Sequence, residues 1–296
     1  MEKVNFLIVG AQKGGTTSLF EYLSRHDQIF TPSNKELDFF SNDKNFSKGI
    51  NFYHSFFLES STSDLLGEAS PQYMYFPKTA RRIFEYSSEI KIIMCLRDPA
   101  DRAFSHFRMN KRRLKEKDSF QIAVNKQLKI FQESGRFDDD MEFNYLGLGL
   151  YGEIIENYLR YFDPSQIKIV WSESLSKDRE NTVGEVLNFL GATSGISGIN
   201  EADLKNDFHI GGDQRFPFLY NAFVKSSKLS PTLNSVIKKI LGRARVYRWL
   251  FKIETEFFVK RKTESIDAKT RQILKDFYKD DAKKISSLLK VKVPWE

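Results

Sequence analysis

The sequence predicts an α/β fold: a P-loop-type central parallel β-sheet flanked by helices, with a helical C-terminal region. Three observations carry this. Short apolar runs rich in β-branched residues occur at 4–9, 91–96 and 167–171, the pattern of strands buried on both faces. Helical patterns fill the intervals, and strands alternating with helices build a parallel sheet covered on both sides. A glycine-rich turn, Gly10-Ala11-Gln12-Lys13-Gly14-Gly15-Thr16-Thr17, follows the first run directly.

The elements follow in order. After strand 4–9, a helix over 16–25 places Leu19, Phe20 and Leu23 on one face. Residues 65–69 form a weaker fourth strand that leads into Ser70-Pro71. Helices are predicted at 77–86, 100–113, 120–134, 151–162 and 182–190. Beyond residue 200 no strand is predicted. Ser230-Pro231 reads as a helix start, with proline at the first helical position, and 268–289 as a final amphipathic helix. With no repeat, low-complexity tract or linker, a single domain over 1–296 is expected. Its P-loop α/β part covers about 1–200 and its helical addition about 201–296.

Composition bounds the function. Of 296 residues, 41% are hydrophobic and 29% charged, which excludes a disordered chain. The 27 phenylalanines predict a phenylalanine-rich core. A net charge of +7 suits an anionic ligand or acceptor as well as plain solubility. Nucleic acid is not the expected partner, because neither paired zinc ligands nor a basic-zipper helix is present. The basic, aromatic-rich stretch 236–262 reads first as a solvated helix face, and second as a peripheral membrane or polyanion contact. The one cysteine, Cys95, sits inside an apolar run and reads as a buried thiol. No signal peptide precedes residue 4 and no apolar stretch reaches membrane length, so a cytoplasmic setting is expected.

The glycine turn is nearly the phosphate-binding pattern G-x-x-x-x-G-K-[ST]. Gly10 and Gly15 keep the spacing and Thr17 the final hydroxyl, but Thr16 replaces the lysine, which has moved back to Lys13. A strand, a tight turn and a helix start form an anion site, because the first N–H groups of a helix lack internal partners and the helix dipole favours negative charge there. Lys13 adds a mobile cation, and Thr16, Thr17 and Ser18 add hydroxyl donors. A second constellation is Leu96-Arg97-Asp98-Pro99…Arg102…Ser105. Arg97 stands at the C-terminal end of a buried strand, where open α/β sheets place ligands. Ser105 lies about two turns along the next helix, so guanidinium and hydroxyl can meet one phosphate. Arg102 reads as an ion-pair residue. The donor set contains no clustered His/Asp/Cys ligands, so no metal is expected.

Taken together, these segments resemble the sulfotransferases that use 3′-phosphoadenosine 5′-phosphosulfate (PAPS). Three further segments are similar to the heparan-sulfate-type carbohydrate branch: Lys35-Glu36-Leu37-Asp38-Phe39-Phe40, Gly67-Glu68-Ala69-Ser70-Pro71-Gln72-Tyr73, and Gly149-Leu150-Tyr151 with its helix and strand to Val170. The resemblance covers about residues 4–190. It implies that Lys13, Gly14, Gly15, Thr16, Thr17 and Ser18 hold the 5′-phosphosulfate, and that Arg97 and Ser105 hold the 3′-phosphate. It implies Glu36 as general base with Lys35 beside the donor. The closing loop of the family is matched loosely by His209–Pro217, with Arg215 reaching toward the 3′-phosphate. The rival bases are His26, His54, His106 and His209, each of which reads as structural. The implied acceptor is a small molecule or glycan bearing a hydroxyl or amine. The competing readings are a P-loop small-molecule kinase, against which Thr16 argues, and a sulfotransferase for a non-carbohydrate metabolite. Phe39, Phe40, Tyr73 and Tyr75 serve either an acceptor cleft or the core.

Overall fold

A computed structural model describes residues 3–61, 64–137, 140–205, 213–214, 259–260 and 265–295. Contacts divide the chain into two compact units, one of residues 1–107, 118–208 and 266–296, the other of 108–117 and 209–265. In the first unit the strands are β1 (Phe6–Gly10), β2 (Ile29–Phe30), β3 (Leu65–Ala69), β4 (Lys91–Leu96) and β5 (Ile167–Trp171). They form one sheet in the order β2-β3-β1-β4-β5, and every neighbouring pair is parallel. The helices that concern the site are α1 (Thr16–Leu23), α2 (Asp43–Phe46), α3 (Ile50–His54), α4 (Pro77–Tyr86), α5 (Pro99–Arg112), α6 (Phe120–Ser134), α7 (Tyr151–Leu159), α8 (Ser172–Lys177) and α9 (Arg179–Leu190). The parallel sheet with flanking helices and a C-terminal helix (Ala268–Leu289) is the predicted architecture.

Strand β1 is buried along its whole length, and its alternate residues feed two cores. Leu7 and Val9 face a cluster with Ile92, Met94, Phe39, Phe40, Tyr53, Tyr73 and Tyr158. Phe6 and Ile8 face the other side, with Ile93, Cys95, Leu19, Leu23 and Val186. Gly67 of β3 makes room for this packing, since a Cβ there would stand 2.1 Å from the Phe6 ring. Strand β2 was not legible in the sequence, because two residues show no alternation. After residue 200, where no strand was expected, Asp213–Gln214 and Val259–Lys260 pair antiparallel in the second unit. Ser230-Pro231, Arg215 and all of the basic stretch except those last two residues lie outside the described residues.

The C-terminal helix buries Thr270, Leu274, Tyr278, Ala282 and Ile285, a stripe at helical spacing. Its Asp281 accepts from the N–H groups of Tyr151 (3.0 Å) and Gly152 (2.9 Å), the otherwise unpartnered start of α7. Lys284 adds an ion pair to Glu156 at 2.9 Å. Arg102 corrects an expectation. It is fully buried and donates to the Tyr145 carbonyl, and it makes no ion pair among the described residues. Asp98, one turn before it on the chain, is already engaged by the N–H groups of Ala100 and Asp101 and by Arg271. Asp281→Ala strips two buried N–H groups of their acceptor and is expected to cost about 1–3 kcal/mol, measurable by urea denaturation.

Candidate functional site

The strand order reverses about β1, with β3 on one side and β4 on the other. Open α/β sheets bind ligands at the carboxyl ends of strands around such a point. Three segments emerge there: the glycine turn after β1, Ser70-Pro71 after β3, and Arg97-Asp98-Pro99 after β4. Ala11 N–H donates to the Cys95 carbonyl at 2.8 Å, and Gly14 N–H to the Ala11 carbonyl at 2.9 Å. A Cβ on Gly14 would lie 2.2 Å from the Cys95 carbonyl oxygen, so only glycine fits. Lys13 (φ 69) and Gly15 (φ 100) both take left-handed backbone, which carries the chain sharply into α1. No side chain caps that helix, so its first N–H groups are available to an anion. Thr16 is buried, whereas Lys13, Thr17 and Ser18 are half-buried around the turn.

Lys35 connects this turn to a carboxylate. Its Nζ lies 3.3 Å from Thr17 Oγ1 and 3.4 Å from Glu36 Oε1. The Lys35 side chain is 17% exposed and that of Glu36 39%, so the lysine is tucked against the turn while the carboxylate faces outward. The pair lies in an irregular segment between β2 and α2, held from below: Asp38 N–H donates to Ser70 Oγ at 3.0 Å, and Phe39 N–H to the Tyr73 hydroxyl at 2.9 Å. Burial, and next the Glu36 charge, push the Asp38 carboxyl up to about 6, against the pull of Lys35. Glu68 lies under the segment, 1% exposed. Burial pushes it up to about 7 despite hydrogen bonds from Tyr73, Ser70 and Tyr53.

Arg97 directly follows β4, and Ser105 lies on α5; both are half-buried. Tyr151 donates its hydroxyl to the Arg97 carbonyl at 3.2 Å. No hydrogen bond joins the Arg97 or Ser105 side chain to the turn among the described residues, so the structure brings the turn, Lys35 and Glu36 together by contact and places Arg97 and Ser105 on the neighbouring strand and helix. His26 is structural: Gln28 N–H donates to its Nδ1, and its Nε2 donates to the Gly195 carbonyl at 2.8 Å. His54 bonds the Tyr86 hydroxyl, and His106 is buried against Tyr145. His209 lies outside the described residues. Phe39 and Phe40 are core residues: Phe39 stacks on Tyr53, and Phe40 packs edge-on to Tyr73 and tilted against Tyr86. The sequence left Tyr75 between an acceptor cleft and the core; its hydroxyl accepts from Gln12 N–H at 2.9 Å, a support of the turn that residue types did not show, and neither did they show the roles of Asp38, Ser70 and Glu68. An acidic residue inside the buried strand β3 was the available signal.

This arrangement is that of a P-loop-type α/β protein whose glycine turn lies beside a carboxylate. The chain belongs to the sulfotransferase domain family, which it matches over residues 3–205. It is 34% identical over 197 residues to the mouse (Mus musculus) bifunctional heparan sulfate N-deacetylase/N-sulfotransferase 4, covering 64% of this chain and 22% of that protein. It is 28% identical over 238 residues to mouse heparan sulfate glucosamine 3-O-sulfotransferase 5, covering 79% of this chain and 67% of that one. The chain thus spans about a fifth of the length of the bifunctional relatives it matches, 22% both of that mouse protein and of human bifunctional heparan sulfate N-deacetylase/N-sulfotransferase 3. The crystal structure of a sulfotransferase from Alicyclobacillus acidocaldarius shares the fold, with a TM-score of 0.67 at 23% identity over 100% of this chain and 99% of that one. Among the described residues no helix is long and apolar enough to cross a membrane.

The raised Glu68 group sets a pH dependence of stability. Its folded carboxyl titrates near 7, against an ordinary 4.5, so the folded chain binds the proton more tightly than the unfolded one. That stabilising contribution is complete below about 4.5 and is lost as pH rises through about 7. Urea denaturation from pH 4.5 to 8 is expected to show wild type losing stability relative to Glu68→Gln across this window.

Proposed function

We propose that the chain transfers a sulfuryl group from PAPS to a hydroxyl or amine of a carbohydrate or glycolipid acceptor. The observation that carries this reading is the Lys35 ammonium, held between Thr17 of the anion turn and Glu36. It ties a phosphate-ester cradle to a solvent-facing carboxylate, the two groups a transfer to a protic acceptor needs. The turn fits the donor: Gly14 admits no side chain, the start of α1 is uncapped, and Thr16 stands where a γ-phosphate would call for lysine. Glycan acceptors are favoured by the relatives, whose names specify heparan sulfate.

In this reading the turn from Lys13 to Ser18 binds the 5′-phosphosulfate, while Arg97 and Ser105, with Arg215, bind the 3′-phosphate. Glu36 accepts the proton of the acceptor as its oxygen or nitrogen attacks sulfur. Lys13 meets the charge that collects on the bridging oxygen when the sulfur–oxygen bond breaks, with that bond's electron pair left on the phosphate. Lys35 holds Glu36 toward the turn. Both units belong to one sulfotransferase domain.

Radiolabelled-sulfate transfer to a panel of sugars, glycolipids and phenols tests the activity. Glu36→Gln is expected to lower kcat about 10²–10⁴-fold, and Lys13→Ala about 10²–10³-fold, the former with binding of adenosine 3′,5′-bisphosphate intact. Wild-type turnover in either variant removes that residue from the mechanism. Melting experiments are expected to show stabilisation by adenosine 3′,5′-bisphosphate, since a ligand specific for the folded state raises its apparent stability. Stronger stabilisation by ATP with magnesium would overturn the assignment in favour of a kinase.

A further inference from the structure

No regular secondary structure holds the Lys35-Glu36 pair; the residues that follow it do. Asp38 sits at φ 50, left-handed backbone that a residue with a Cβ keeps only when its surroundings fix it. Three successive backbone N–H groups there find side-chain acceptors. Asp38 N–H donates to Ser70 Oγ at 3.0 Å, and the Tyr73 hydroxyl accepts from Phe39 N–H at 2.9 Å and Phe40 N–H at 3.4 Å. Both hydroxyls then donate to one carboxylate. Ser70 reaches Glu68 Oε2 at 2.7 Å, and Tyr73 reaches Oε1 at 2.6 Å, where Tyr53 also donates at 3.3 Å.

A hydroxyl carries one hydrogen, and its remaining directions are acceptors. The Ser70 and Tyr73 hydrogens are already given to Glu68, which leaves their lone pairs facing the backbone of 38–40. No cation bonds to Glu68 among the described residues, so it is not half of a buried ion pair. An acid buried at 1% exposure is a poor choice for stability alone, because desolvation penalises its charged form. Its hydrogen-bond pattern gives it a task that an apolar residue could not perform.

We infer that Glu68 is a positioning residue: by fixing the hydrogens of Ser70 and Tyr73 it sets the backbone from Asp38 to Phe40, and with it the stance of Glu36 against Lys35 and Thr17. This rests on Glu36 being the base of the proposed reaction. The anchor comes from β3 and the base from the connection after β2, so the network also locks two segments that the chain separates by about thirty residues, as in the contact of Asp38 with Ser70 at a separation of 32.

Removing Glu68 outright leaves two hydroxyls unpaired in the core, so the decisive variants are Ser70→Ala and Tyr73→Phe. Each breaks one hydroxyl link and retains the acid. Amide hydrogen exchange over residues 35–41 reads the positioning directly and does not require turnover. Exchange at Asp38 in Ser70→Ala, and at Phe39 in Tyr73→Phe, is expected to speed up about 10-fold or more. Affinity for adenosine 3′,5′-bisphosphate should stay within about twofold of wild type, and kcat for sulfate transfer should fall about 10–100-fold at little-changed KM. Unchanged exchange at these amides overturns the inference, whatever the activity. So does faster exchange with wild-type kcat, and so does a parallel loss of bisphosphate binding with a broadly lowered melting temperature, which marks general destabilisation. If wild type transfers no sulfate to any acceptor, the proposed reaction falls, while the exchange result still decides whether the network sets this backbone.

Discussion

The site is organised by the seating of the glycine turn on the end of β4. Ala11 N–H is bonded to the Cys95 carbonyl, and Gly14 presses against the same oxygen with no room for a side chain. One carbonyl thus fixes the turn at two points. Because the turn cannot lift away, Lys13 and Gly15 must take left-handed backbone, and α1 must begin where its N–H groups face the strand ends. Arg97, two residues beyond Cys95, is then registered against the turn through the sheet itself. Tyr75 adds a third anchor by accepting Gln12 N–H. A loop pinned in this way loses little freedom on binding a ligand, which is the physical content of preorganisation.

Buried charge is distributed in two ways around this centre. Glu68 is surrounded by hydroxyl donors, and Asp281 by helix N–H groups, so each carboxylate is solvated by fixed dipoles instead of a cation. Arg102 is the opposite case, a guanidinium among the hydroxyls of Tyr75, Tyr151 and Tyr278 with one carbonyl acceptor. Dipoles of this kind hold a charge in place without cancelling it. The field of an unpaired buried ion therefore reaches further than that of a salt bridge.

Much of the fold was legible because buried parallel strands are continuous apolar runs: 65–69, 91–96 and 167–171 match the observed strands residue for residue. The helices at 77–86, 120–134 and 268–289 were equally clear, each having an amphipathic stripe and identifiable ends. Strand order was not legible, since spacing along the chain does not say that β1 lies between β3 and β4. The turn and the Lys35-Glu36 pair could be picked out from residue types, but their contact through Thr17 depends on how β2 and its connection are placed. Arg102 was misread because its obvious partner, Asp98, spends its oxygens on the start of α5 and on Arg271. The support beneath Glu36 was invisible for a related reason: Ser70 and Tyr73 act through hydroxyl orientation, which no local pattern encodes.

The lone cysteine has a practical consequence. Cys95 is fully buried, and burial pushes its thiol up to about 12; its own carbonyl is the one that seats the turn. A thiol so protonated and enclosed reacts only when the sheet centre opens. With a single cysteine in the sequence, the rate of its labelling counts those openings without a background. The protein therefore carries, at the middle of its parallel sheet, an internal clock for how often that centre comes apart.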